Sequence, residues 1–269
     1  MSLDIKKVYV DTRWRTSDSK SSTDFSIELP RSFTIPDNVV AYIDDIVLPI
    51  SFPTVDEKHN ILHFQMNDYY GKIIMDVKNY NGQTFSDTLK KKLNAYAVSK
   101  GYVTNATDEA FDITYDFNDN SILITPKIVI TVNFISDQDM IDGVVLSNMS
   151  NPNSIARILQ LYKSKIFTKT APFYTLLDLH TTRNLYLTSS ALGAYNSISN
   201  FGNDTIIKKI PIRAGFNELL YHDSGSGFDY LDVTPRTLRY IDFKLVNAYF
   251  EDIDLRGNHW SFSIIFAQK

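Results

Sequence analysis

The chain has no cysteine, which excludes disulfide staples, a thiolate metal site and a cysteine nucleophile, and leaves packing to hold the fold. It has no excess of basic charge either. Lys and Arg total 27 against 31 Asp and Glu, a formal net charge of −4, and the two signs are interleaved. A dominant role in specific nucleic-acid binding is thereby excluded, because it needs a basic footprint. No apolar run approaches the ~18 residues of a membrane span. The opening Met1-Ser2-Leu3-Asp4-Ile5-Lys6-Lys7 carries no apolar signal core, so synthesis in a cytosol or nucleus is the expectation. Glycine and proline are scarce, at 10 and 9 residues. No stretch is rich enough in them to read as a linker between two cores, and no internal repeat is visible.

Aromatic residues are plentiful instead: 17 Phe, 16 Tyr and 2 Trp in 269 residues, beside many Val, Ile and Thr. Such side chains suit half-buried pleated surfaces. Alternation with period two confirms the bias. Phe25, Ile27 and Leu29 share one face against Asp24, Ser26 and Glu28, as a strand with one wet side requires. Val39 to Leu48 is a more continuous apolar run, and Leu62 to Met66 and Ile73 to Val77 alternate again. Phe111 to Phe117 and Ile122 to Thr125 flank the turn cluster Asn118-Asp119-Asn120 as a hairpin, and Ile128 to Phe134 continues the alternation. In the last third, Leu185 and Leu187, Ile206 to Ile212, Tyr240 to Val246 and Trp260 to Phe266 read as strands. Trp260, Phe262, Phe266, Ile241 and Phe243 are expected to face inward.

The period changes once. Phe85, Leu89, Leu93, Tyr96 and Ala97 step by three or four residues while Asp87, Lys90, Lys91 and Asn94 lie opposite, which predicts an amphipathic helix with Thr84 as N-cap and Gly101 after its end. A second, shorter helix is predicted from Ile155, Ile158, Leu159 and Tyr162 behind Asn151-Pro152-Asn153-Ser154. Together these elements predict an all-β protein: a single jelly-roll antiparallel β-sandwich with one main inserted helix, with an immunoglobulin-like sandwich as the alternative. Residues 1–22, rich in Ser, Thr and charge, are expected to form an N-terminal arm running away from the sandwich, and 23–269 a single jelly-roll domain.

No catalytic, cofactor or metal residues are assigned. His59 and His63 have the i, i+4 spacing of a helical zinc site, but on a strand that spacing spans ~13 Å and cannot close on one ion. Asp44-Asp45 resembles a carboxylate pair. Neighbours on a strand point to opposite faces, however, so one is expected in solvent and the other pairing within the sandwich. Gly225-Ser226-Gly227 lacks the spacing and context of a nucleophile elbow and reads as a loop. Lys90-Lys91-Lys92 reads as the solvated helix face. Asn105-Ala106-Thr107, Asn148-Met149-Ser150 and Asn203-Asp204-Thr205 match the glycosylation pattern by chance.

Several segments carry a resemblance. Val8-Tyr9-Val10-Asp11-Thr12-Arg13, Ser17-Asp18-Ser19-Lys20-Ser21-Ser22-Thr23-Asp24-Phe25 and Ala41-Tyr42-Ile43-Asp44-Asp45-Ile46-Val47-Leu48-Pro49 open it. Tyr80-Asn81-Gly82 and Leu93-Asn94 around the helix add to it. So do Arg183 to Ser190, Leu231-Asp232-Val233, Ile241-Asp242-Phe243 and Leu255 to Ser263. These resemble the minor capsid, or penton, proteins of Polinton (Maverick) elements and related virophage-like and adintovirus-like viruses. The resemblance implies a structural virion protein without catalytic residues or cofactors. It would form homo-pentamers at icosahedral fivefold vertices, among hexameric capsomers of a double jelly-roll major capsid protein, with a host receptor as a further partner. A β-sandwich carbohydrate-binding or attachment module is the alternative function.

Overall fold

The computed structural model describes residues 5–104, 108–144, 149, 152–193, 205–223, 230–233 and 235–268. The chain forms two compact units, one of Met1–Phe52 with Thr182–Lys269 and one of Pro53–Thr181. In chain order the first unit supplies β1 (Lys6–Asp11), β2 (Asp24–Ile35) and β3 (Val39–Pro49). The second contains β4 (Ile61–Met66), β5 (Tyr69–Ile74), α1 (Gly82–Ser99), β6 (Phe111–Asp116), β7 (Ser121–Pro126), β8 (Val132–Phe134), α2 (Asp137–Ile141), β9 (Lys165–Phe167) and β10 (Phe173–Leu176). The chain then returns to the first unit with β11 (Asn184–Thr188), β12 (Ile206–Pro211), β13 (Leu219–Asp223), β14 (Leu231–Asp232), β15 (Arg236–Val246) and β16 (Ser261–Gln268).

The first unit is the jelly roll. One sheet runs β1-β16-β3-β13, with short β14 also on β3, and the other runs β12-β11-β15-β2. Leaving β14 aside and counting only the first unit's strands, these orders are first-eighth-third-sixth and fifth-fourth-seventh-second. That is the interleaving of a jelly roll, in which the two chain ends pair side by side. Every pairing is antiparallel. The inward residues of β2, Phe25, Ile27 and Leu29, meet Ile241, Phe243, Trp260, Phe262 and Phe266 in one buried cluster. The inward assignment of the two C-terminal strands therefore holds.

The second unit has its own core. It contains sheets β5-β4-β8-β9 and β10-β7-β6, and α1 packs against β6 and β5. Phe85, Leu89, Leu93 and Ala97 of the helix are fully buried with Phe64, Phe111 and Phe134. The predicted hairpin is present, with Ile113 opposite Ile124 and left-handed Asn120 (φ 58°) in its turn. The helix begins at Asn81 rather than Thr84. Asn81 Oδ1 accepts from the Thr84 amide at 2.8 Å while Thr84 Oγ1 accepts from the Asn81 amide at 3.0 Å, so the two residues cap each other. Gly82 is the first helical residue. A Cβ there would sit about 2.1 Å from the Tyr115 ring, so only glycine lets the ring approach.

Three expectations need correction. The single domain over 23–269 gives way to two cores, because residues 53–181 bury their apolar faces among themselves. The arm over 1–22 is not an arm over its described part. Lys6–Asp11 pairs with β16, Val10 is buried, and the Thr16 amide donates to the Ser26 carbonyl at 2.8 Å. Val8 and Val10 supply the inward face that draws this strand into the sheet; residues 1–4 lie outside the described residues. The helix predicted over 155–162 is a run of tight turns. The Ile158 amide donates to the Ile155 carbonyl at 2.9 Å, and Gln160 has φ 50°, which stops any helix there. Its apolar residues Ile155, Ile158 and Leu159 are buried all the same.

Candidate assembly surfaces

The two histidines at helical spacing serve different partners. His59 Nδ1 lies 3.0 Å from an Asp56 carboxylate oxygen. His63, on β4 and only 2% exposed, has Nδ1 2.6 Å from the Tyr70 hydroxyl and Nε2 2.7 Å from the Pro152 carbonyl. A carbonyl only accepts, so Nε2 carries the proton and Nδ1 accepts from Tyr70. Among the described residues no group of three or more His, Asp and Glu is placed to hold a metal.

Burial pushes the His63 imidazole below its ordinary 6.5, helped by Lys72, while the Pro152 carbonyl and Asp137 act in the opposite direction. The unfolded chain therefore binds this proton more readily than the folded one, and stability is lost as pH falls below ~6.5 toward the depressed folded value. The melting temperature should drop between pH 7 and 5, and His63→Gln should flatten that slope. An unchanged slope in the variant would remove His63 from the acid response.

Asp44 and Asp45 occupy a β-bulge. Phe262 pairs with Ile46 and Ile264 with Ile43, so Ser263 alone faces both aspartates. Ile43 and Ile46 are both buried, which turns the two residues between them outward together and corrects the expectation of opposite faces. Asp44 meets Lys7 at 3.5 Å, and Asp45 accepts from the Ser263 hydroxyl. Lys90 bridges Glu109 and Asp112, each at 2.9 Å, and Lys92 meets Asp76 at 3.0 Å. Most of the basic run on α1 is thus neutralised within its own unit, and of the three Lys91 alone is exposed rather than half-buried. Gly225-Ser226-Gly227, Asn105, Asn148 and Asn203 lie outside the described residues.

What the sandwich offers is surface. Among the described residues its two sheets end at β1 and β2 on one side and at β13 and β12 on the other. The first half of β2 is covered, with Ser26 and Asp24 carbonyls accepting from Thr16, Lys20 and Ser21. Pro30 and Arg31 in its second half, and Lys209 and Pro211 on β12, blunt these edges against indiscriminate pairing. Tyr9, Trp14 and Tyr221 stand 66%, 62% and 69% exposed on this unit. Sequence reasoning passed over them, although Tyr9 was legible: it lies between inward Val8 and Val10 and must point out.

No protein-family model matches the sequence, and no curated protein does. Among solved structures the mavirus penton protein matches with a TM-score of 0.55 and 9% identical residues, covering 99% of this chain and 100% of that one. The match thus spans both units, and at this identity it speaks for fold. The chain has a penton-like fold, an all-β architecture built on one jelly roll.

Proposed function

We propose that the chain is a structural capsid protein of icosahedral vertices, closing into homo-pentamers set among hexameric capsomers of a double jelly-roll major capsid protein, with no enzymatic role. The observation that carries this reading is the full-length fold likeness to the mavirus penton protein. The sandwich geometry supports it. Its two lateral sides, β1 with β2 and β13 with β12, are different surfaces, and a ring needs two unlike patches per subunit that meet head to tail. Closure at five and a virion location are part of this proposal, and the likeness to a penton protein supports them.

The test is mass by light scattering at high protein concentration, together with a map of assembled particles. The expected results are five copies of the 30.8-kDa chain and fivefold density that fits this fold. Vertex density belonging to another protein would overturn the assignment. So would a monomer or dimer whose melting shifts with added sugar, which is the behaviour of a carbohydrate-binding module.

A further inference from the structure

We propose that the groove between β1 and the second half of β2 docks an extended, acidic segment of a partner protein, which adds as a strand to the open edge of β1. This inference does not depend on ring formation.

The groove lies wholly in the first unit, is open to solvent and has a volume of about 860 Å³, room for several side chains. Buried Ile27 and Leu29 and partly buried Val8 line its base, and Tyr9, Trp14 and Phe33 also line it. Trp14 and Tyr9 are the kinds of side chain that anchor interfaces, large and rigid with a polar tip, and here they are mostly in water. Beside them runs a backbone edge with unused hydrogen-bonding capacity. Among the described residues β1 has β16 on one side and no strand on the other, and β2 loses its regular pairing at the groove, where Glu28 and Phe33 bracket residues opposite Arg239. An extended peptide satisfies such an edge through its main chain and places alternate side chains into the neighbouring groove.

Charge selects the peptide. Four charged side chains line the groove: Lys6, Lys7, Arg31 and Glu28. Glu28 is held by the Arg239 guanidinium at 2.7 Å, and Lys7 meets Asp44 at 3.5 Å. Lys6 and Arg31 have no carboxylate partner among the described residues. The rim is therefore positive by two uncompensated charges, too few for the backbone of a nucleic acid but suited to a carboxylate-bearing strand.

Three eight-residue probes test this: one alternating Glu and Val around a central Phe, one with Lys in place of Glu, and the Glu peptide with alternate amides N-methylated. Trp14 fluorescence reports binding, with Trp14→Phe as the control that should abolish the signal. The Glu peptide should bind at least about tenfold more tightly than the Lys peptide, a difference of ~1.4 kcal/mol. N-methylation should remove most of that binding, because it blocks strand addition. Lys6→Glu with Arg31→Glu should reverse the preference between peptides while melting like the parent, since both side chains are exposed. Equal binding of the two peptides, an unreversed preference in the double variant, or indifference to N-methylation would each overturn the proposal. Displacement of the Glu peptide by an oligothymidylate would assign the groove to single-stranded nucleic acid. Self-association lost on Trp14→Phe, with no peptide bound, would assign it to a second copy of the chain.

Discussion

Removing residues 2–20 should destabilise the jelly roll by on the order of 3–6 kcal/mol, enough to lower its melting temperature by about 10 °C or more. The deleted residues would no longer surrender chain entropy, which offsets most of their own burial. What nothing offsets is the damage left on β16. Six of its residues, Ser261 to Phe266, lose their partners on β1. The buried Trp260 amide loses Thr12 Oγ1, which accepts from it at 3.1 Å, and the Trp260 carbonyl loses the Thr12 amide at 3.0 Å. An orphaned buried group costs about 1–3 kcal/mol. Val10, 1% exposed, also leaves the sandwich edge open. A truncated protein that melted like the full chain, followed by circular dichroism, would show that β1 is not part of the sheet in solution.

The same segment shows what the sequence made legible and what it hid. Strands with one wet face declared themselves: Phe25, Ile27 and Leu29 in β2, and Ile241, Phe243 and Leu245 in β15, alternate without a break and all lie in the first core. The helix was equally plain, because Phe85, Leu89 and Leu93 share one stripe. β1 carries only Val8 and Val10 as inward residues, between lysines and an aspartate, and its short alternation merges with a polar stretch. Bulges were hidden because they break the parity that sequence reading assumes, and that is why Asp44 and Asp45 face the same way. The turns around Ile155 and Ile158 put apolar residues at helical spacing for a different reason. They fill the second core from an irregular segment whose left-handed Gln160 no periodicity reveals.

The division into two cores was the largest omission, and it has a physical cause. Alternation shows which face of a strand is apolar, never which core it faces. Leu62, Phe64 and Met66 look like sandwich residues in every local respect, yet they pack with α1 and the β6–β7 hairpin. The chain leaves the jelly roll at Phe52–Pro53 and re-enters it at Thr181–Thr182 through segments with none of the composition of a linker. For the candidate surfaces the lesson is similar. Tyr9 and Tyr221 were visible as aromatic residues but became informative only when the topology placed them on the outermost strands of one sheet, β1 and β13.

Truncation of Phe262 should be strongly damaging to the jelly roll. Its ring is 3% exposed and sits 5.0 Å from Phe243 at 85° and 5.0 Å from Trp260 at 23°. Phe25 joins the same group, 5.5 Å from Phe243 and 6.0 Å from Trp260. Four aromatic side chains from β2, β15, β16 and the residue before β16 thus interlock across the two sheets. Phe262→Ala removes the ring and leaves a cavity that three rigid neighbours cannot collapse to fill, which costs roughly 3–5 kcal/mol. The lost edge-to-face contact with Phe243 and the lost stacking on Trp260 take the cost toward the upper end of that range. Phe262→Leu, which keeps most of the volume, should cost well under half as much. Phe117, 86% exposed in the second unit, is the matched control, and Phe117→Ala should change stability by less than about 0.5 kcal/mol. Chemical denaturation of the three variants separates these values by their midpoints. Equal midpoints for Phe262→Ala and Phe117→Ala would mean that Phe262 does not face the space between the sheets, and the register of β16 against β3 would have to be redrawn.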